Sequence, residues 1–566
     1  MEQLVCKVTG VPFALSETER EAYARFGLPT PELVSAERLR RKLAFHNERR
    51  FFWRTSSLSK KRIYAPYPAS APFPVYATDE WSSDAWDPMS FAIEYNSRQP
   101  FFEQLYEFFC KVPRPAMFGT RLSGVTAAQN CGDAEKSFCV ADSFRIARCF
   151  YSVGLIRCDD CADCLSLDDC VSCYECVDCR SCRNGKFLRH CENVADSAFL
   201  FQCYDCADCL FCANLTGSRY CIFNEQLSKE RYEERIREWD FSIRPKLDSA
   251  KDTFVDFLKR HPVPHYIGSL ESAVSERGNY LRHCSNVFDC FECSESSQMC
   301  DAIRVVGGDE ILDAYACIGP IERSAQVVAC GQRASNLKNC VSCQTDVENM
   351  MYCLYCSESS DLFGCIGLKG KQYCIFNKQY SAEVYREALA KIEDTLRRKR
   401  AWGKFFPGVM SDFAYNQSTA AESMALNEYQ CEMLSYRWEK GDEGVRPSQL
   451  VGAEGDISAS DRFAELPLTL DELSDEAAKS LFLCEMTGAP YQIHPAELLL
   501  YRKWRVAPPT RAFDQRHRER SHYLQPRRLL PRTSSQSGRA FDSAFPPDFR
   551  QEVLARDEWL ARIIAV

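Results

Sequence analysis

Histidine is scarce in this chain, with eight in 566 residues. None accompanies a nucleophile in a recognisable motif. His517 and His522 lie among arginines and His261 and His265 flank a proline-containing turn, so the nucleophile–base pairs of covalent catalysis have no candidate. Glycine-rich phosphate loops of the GxGxxG or GxxxxGK(S/T) type are also missing. No segment approaches the roughly 18 unbroken apolar residues of a membrane helix. The start, Met1-Glu2-Gln3-Leu4-Val5-Cys6, has no basic region followed by an apolar run. This predicts no secretory signal and makes the cytoplasm the default address. These absences point away from an enzyme and towards a binding or scaffold protein.

Cysteine is abundant instead, with 33 in the chain. A reducing cytoplasm favours buried thiols or metal ligation over a disulfide framework. The length exceeds the size at which one core stops growing, so several domains are expected. The net charge of −9 is unevenly spread: both ends are basic and the cysteine-rich middle is rich in Asp.

The cysteines keep a three-residue beat through Cys158, Cys161, Cys164, Cys170, Cys173, Cys176, Cys179 and Cys182. Cys131, Cys149, Cys191, Cys203, Cys206, Cys209, Cys212 and Cys221 share that frame, and Cys139 falls outside it. Strands alternate with period two and helices near 3.6, so a period of three fits neither. It fits a parallel solenoid that turns corners regularly, with cysteines stacked inside. Asp160, Asp163, Asp169, Ser172, Glu175, Asp178 and Ser181 fill a polar slot expected to face outward.

Three chemistries compete for the thiols. Cys packs as a small hydrophobe. Alternatively, CxxC pairs among Cys158, Cys161, Cys164, Cys170, Cys173, Cys176, Cys179, Cys182, Cys203, Cys206, Cys209 and Cys212 could ligate zinc at about 2.3 Å or an iron–sulfur cluster. Disulfide or redox exchange is the third. The unbroken beat argues against discrete zinc sites, as does Ser359 standing where the first copy has Cys206. With packing thiols, a Cys-to-Ser change is expected to cost about 1–3 kcal/mol by burying a poorly paired hydroxyl, and Cys-to-Ala less.

Two duplications organise the chain. Tyr220-Cys221-Ile222-Phe223-Asn224 returns at Tyr373 to Asn377, an offset of 153 that also aligns Cys131 with Cys284 and Cys203 with Cys356. Ser228 and Ser381 are suitable N-caps for helices carrying Tyr232, Ile236 and Trp239, or Tyr385, Leu389, Ile392 and Leu396. At an offset of 478, Cys6-x-x-Thr9-Gly10-x-Pro12-Phe13 becomes Cys484-x-x-Thr487-Gly488-x-Pro490-Tyr491, and Arg54-Thr55-Ser56-Ser57 becomes Arg532-Thr533-Ser534-Ser535. The implied order is a terminal module (1–70), connector (71–120), first solenoid (121–224), helical connector (225–264), second solenoid (265–377), helix (378–402), connector (403–480), second terminal module (481–550) and C-terminal helix (551–566).

Leu43-Ala44-Phe45-His46-Asn47-Glu48-Arg49, Trp81-Ser82-Ser83-Asp84-Ala85-Trp86-Asp87-Pro88, Phe101-Phe102-Glu103-Gln104 and Tyr373 to Ser381 together resemble an uncharacterised family of cysteine-rich proteins of candidate-phylum bacteria. The likeness covers nearly the whole chain. Some members carry an automatic CoA-transferase-like label, which no residue pattern here supports. The resemblance implies terminal modules of zinc-ribbon type. Its four ligand positions align with Cys6, Thr9, Val34 and Glu37, and with Cys484, Thr487, Ala512 and Gln515, so neither module is expected to hold zinc. The expected fold is multidomain and mainly β. It comprises two tandem parallel β-solenoid (β-helix) units with cysteine-lined interiors, each closed by an α-helix, flanked by duplicated small α+β modules derived from zinc ribbons.

What persists at the ends is positive charge: Arg38, Arg40, Arg41, Arg49, Arg50 and Arg54 at the front, and Arg516, Arg518, Arg527 and Arg528 at the back. Placed on the surface near Phe51, Phe52 and Trp53, they predict binding to nucleic acid or a ribonucleoprotein. The bland alternative is that these arginines form a solvated face or dock onto the acidic solenoid. No cofactor is expected in the leading reading. The competing function is metal storage or sensing with zinc or an iron–sulfur cluster.

Overall fold

The computed structural model describes residues 3–270, 277–282, 288–294, 347–441, 463–524 and 529–565, with isolated positions between 312 and 335. The fold is mainly β, with a β-solenoid between residues 118 and 375. The chain forms two compact units, Met1–Phe118 with Ser269–Gly444 and Gly119–Gly268 with Val445–Val566. Each combines one end of the chain with one stretch of cysteine repeats. Much of 265–346, including Cys284, lies outside the described residues. No helix among the described residues is long and apolar enough to cross a membrane.

Each solenoid coil takes twelve residues, or four triplets, as shown by parallel pairs such as Phe150 with Ala162 and Ala162 with Tyr174. The beat of three arises from one repeated backbone unit. The first residue of a triplet is extended and bonds the following coil through both its backbone groups: Phe150 N–H donates to the Cys161 carbonyl at 2.9 Å, and the Phe150 carbonyl accepts from Asp163 N–H at 3.1 Å. The second turns the corner in the left-handed region, with φ 53° at Asp160, 58° at Asp163 and 53° at Asp169. Asp and Asn tolerate that region best among residues with a side chain, which accounts for the many Asp residues in the polar slot. The third points inward. Cys139 is out of frame because it occupies a corner, at φ 52°.

The inward residue has an N–H that faces the core and needs an acceptor. The side chain one coil earlier supplies it. Ser152 Oγ accepts from Cys164 N–H at 3.1 Å and donates to the Phe150 carbonyl at 2.8 Å. Cys170 Sγ does the same with Cys182 N–H at 3.4 Å and the Asp168 carbonyl at 3.2 Å. Ser137, Ser143, Ser197 and Ser359 repeat the pattern. At Cys170 a thiol thus makes the same pair of bonds as these serines, so a Ser in such a slot has both a donor and an acceptor within reach. Space is the other constraint: a Cβ at Gly185 would lie 2.5 Å from Leu188 Cδ1 in the same coil.

In the unit holding 119–268, one column of corner residues carries the tertiary packing. Phe187, Phe199, Phe211 and Phe223 stack with ring centroids 4.4, 5.1 and 4.9 Å apart. The helix Arg244–Leu258 and its approach cover this ladder through Trp239, Phe241 and Phe254. Higher in the same column, Asp163 is buried and ion-paired with Arg516 at 2.5 Å and Arg520 at 2.7 Å. The outward direction expected for the polar slot fails at Asp163, Ser172 and Asp178, which are buried. At Asp163 and Ser172 the terminal module packs over the corner: Trp504 Nε1 donates to Ser172 at 3.0 Å.

The recurring pentapeptide is the solenoid's end. Phe223 and Asn224, like Phe376 and Asn377, are consecutive left-handed residues joining antiparallel strands Arg219–Ile222 to Glu225–Gln226 and Gln372–Ile375 to Lys378–Gln379. The Asn side chain then stands in for the missing next coil. Asn224 bonds both Ala213 N–H at 3.0 Å and the Ala213 carbonyl at 2.8 Å, and Asn377 treats Ile366 likewise. Ser228 and Ser381 cap the helices Lys229–Ile236 and Ala382–Arg398 as expected.

The elements at the two ends correspond at the offset of 478. The strand pair Leu4–Val5 and Pro12–Phe13 and the helices Glu17–Arg25 and Ser35–Leu43 match Phe482–Leu483, Pro490–Tyr491, Pro495–Trp504 and Phe513–Ser521. The correspondence continues past residue 70, to Val75–Tyr76 with Thr78–Trp81 and Val553–Leu554 with Arg556–Leu560.

Candidate functional site

In the unit containing Met1–Phe118, a cleft of about 620 Å³ opens beside the terminal module. One wall is the segment Pro29–Leu33 and the helix Ser35–Leu43, whose i, i+3, i+4 spacing puts Arg38, Arg41 and Lys42 on one face. The other wall is the end of the helix Ala382–Arg398 and the turn after it, giving Arg397, Arg400, Trp402 and Lys404. Arg400 breaks the helix in the left-handed region, at φ 54°. Gly403 must be glycine: its φ is +74° and a Cβ would lie 2.5 Å from Pro29 Cδ. Phe102 and Phe405 add apolar surface.

Among the described residues, the lining holds six Arg or Lys side chains against one carboxylate, Glu32. Burial opposes ionisation of Glu32, but the Lys7 and Lys404 ammonium groups at 2.6 and 3.1 Å hold its carboxyl below the usual range. Arg38 bonds Glu19 at 3.0 Å, Arg397 bonds Glu393 at 2.6 Å, and the Arg397 guanidinium lies 5.4 Å from the Trp402 ring centre. Among the described lining residues, cationic side chains outnumber carboxylates. Beside an aromatic floor, that surplus suits a phosphate-bearing ligand.

The arginines singled out by sequence have diverse fates. Arg38 and Arg41 line the cleft. Arg40 pairs with Glu37 at 2.6 Å. Arg49 is buried against Glu422, and Arg54, which burial shifts below its ordinary value, donates to the Pro68 carbonyl at 2.8 Å. Arg516 is buried with Asp163, Glu497 and Tyr501. The surface position expected for Arg49 and Arg54 is thus corrected, because Arg49 is tied to Glu422 of the connector and Arg54 to Pro68 of its own module. Arg50 and Arg518 are exposed, and Arg527 and Arg528 lie outside the described residues. Sequence reasoning missed Arg397, Arg400, Trp402 and Lys404. The visible signal was the basic run Arg397-Arg398-Lys399-Arg400 at the end of a helical pattern.

The repeat cysteines from Cys131 to Cys221 and Cys353, Cys356, Cys365 and Cys374 are free and buried. Desolvation pushes the Cys131 thiol up to about 12 and raises Cys191 and Cys203. Cys6 and Cys484 differ: burial opposes it, but the Thr9 or Thr487 hydroxyl and backbone donors, including those of Val34 or Ala512, hold each thiol below its ordinary value.

No protein-family model matches the chain, and neither the curated proteins nor the solved structures contain a match.

Proposed function

We propose that this is a non-enzymatic cytoplasmic binding protein whose cleft grips single-stranded nucleic acid, free or within a ribonucleoprotein. The observation that carries the reading is the cleft: six cations and four aromatic rings around a volume of about 620 Å³. Because the net charge is −9, attraction must come from this local patch rather than from the chain as a whole.

The two ends then have different roles. At the C-terminal end Arg516 and Arg520 hold Asp163, so that module serves to clamp the solenoid. We read both modules as zinc ribbons that have lost their metal. Cys6 and Cys484 keep sulfurs that receive several donors, including backbone groups of the residues aligned with lost ligands. This supports the likeness to the cysteine-rich family. The zinc or iron–sulfur alternative has less support, since Ser takes the same inward slots with the same bonds. The free thiols accord with a reducing compartment.

Fluorescence anisotropy with single-stranded RNA and DNA oligomers tests the reading. Affinity should fall as salt rises, with a log–log slope of about 0.7 per neutralised phosphate. Replacing Arg41, Arg400 and Lys404 by Glu should weaken binding at least about tenfold, the effect of losing roughly 1.4 kcal/mol. No salt-dependent binding at micromolar protein would sink the proposal.

A further inference from the structure

The inward thiols of the coils within 119–226 do more than fill space. They pack into one buried core and form a continuous path of stacked positions. Cys161 lies between Cys158 and Cys164 in its own run of inward slots, and at the twelve-residue coil repeat it stacks between Cys149 and Cys173. Cys158 and Cys161 therefore stand next to Cys170 and Cys173 on the following coil, and Cys164 next to Cys176. The path continues through Cys179 and Cys191 to Cys203, then to Cys206, Cys209 and Cys221.

This interior offers sulfur and little else. The inward slots hold Cys, Ser, Gly, Ala, Val, Ile and Leu, with no carboxylate or imidazole among them. A purely thiol donor set in a dry core selects soft cations. Charge narrows the choice further. A tetrahedral Zn²⁺ with four thiolates would leave two negative charges buried, at a large desolvation cost.

We propose that the thiol core of this solenoid takes up cuprous ions while the fold is retained. Each step is Cu⁺ + RSH → Cu–SR + H⁺. The S–H bond breaks, the proton leaves to solvent, a Cu–S bond forms and no oxidation state changes. A thiolate that bridges two coppers gives every ion two sulfur ligands at one thiolate per ion, so the loaded core is neutral. Loading removes the S–H bond to the carbonyl two residues earlier. The inward N–H bond, such as Cys182 to Cys170 Sγ at 3.4 Å, is kept and strengthens on a thiolate. This proposal is independent of the cleft.

The test is an anaerobic titration of the full, reduced chain with Cu(I) against a colorimetric Cu(I) chelator. Far-ultraviolet circular dichroism is followed in parallel. The expected result is withdrawal of several copper equivalents per chain, thiolate-to-copper absorption in the ultraviolet, and an unchanged dichroism spectrum. The double variant Cys161→Ser, Cys173→Ser keeps the hydrogen bonds of the core and should lose at least one equivalent. Cys209→Ser with Cys212→Ser, at the other end of the path, is the second variant should the first fail to fold. Uptake equal in wild type and a folded variant would place the copper on peripheral cysteines and overturn the proposal. So would uptake only as the dichroism signal is lost.

Discussion

Replacing Cys170 separates the two accounts of the thiol core. Its sulfur donates to the Asp168 carbonyl at 3.2 Å and accepts the Cys182 N–H at 3.4 Å, both inside a dry interior. In Cys170→Ala the Cys182 N–H loses its acceptor, and an unpaired buried amide costs about 1–3 kcal/mol. The vacated sulfur volume adds a smaller cavity cost. In Cys170→Ser the hydroxyl can adopt the bonds that Ser152 already makes at 2.8 and 3.1 Å. The net change there should stay within about 1 kcal/mol, the scale of one exchanged hydrogen bond. Urea denaturation under reducing conditions measures the difference, and hydrogen exchange at the Cys182 amide locates it. Exchange should accelerate in the Ala variant and change little in the Ser variant. If Ser destabilises more than Ala, the hydroxyl is not paired as argued and the coil-to-coil acceptor role is wrong.

The Asp163 clamp should be costly to break. Asp163→Ala leaves the buried Arg516 and Arg520 without their shared carboxylate, a loss of about 3–5 kcal/mol; a melting temperature unchanged by the substitution would contradict this. Asn224→Ala removes both bonds to Ala213 and should cost about 1–3 kcal/mol at the last coil, seen as faster exchange of the Ala213 amide than of amides deep in the coil stack. His265 gives a pH dependence. Burial first, then the Arg556 charge, lowers its pKa from 6.5 to about 4. The folded state therefore binds this proton less readily than the unfolded chain. Its contribution is fully present above about pH 6.5 and is lost as pH falls towards about 4. An NMR titration finding an imidazole midpoint near the ordinary value would refute it.

How much of this was legible depends on the range of the interaction. The capping serines and the pentapeptide could be recognised because a helix start and a two-residue hairpin are set by neighbours in sequence. The pentapeptide's purpose could not, since Asn224 acts on Ala213 in the preceding coil. The cleft was half visible. Arg38 and Arg41 stood out as charge, but Trp402 and Lys404 join them only because Pro29 packs against Gly403. Charge alone also misjudged Arg49, whose partner Glu422 is remote in the chain.

The solenoid and its inward thiols follow from sequence by itself. One backbone unit of three residues repeats its own hydrogen bonds, so each triplet carries the same instruction wherever it occurs. The coil length of twelve does not follow, because closing a coil after four triplets is a property of stacking that a period of three leaves open. Which corner becomes buried is decided by tertiary structure alone. Asp163 and Asp169 occupy the same slot and have the same left-handed backbone, yet only Asp163 lies in the column that the terminal module covers, where Arg516 and Arg520 make its burial tolerable.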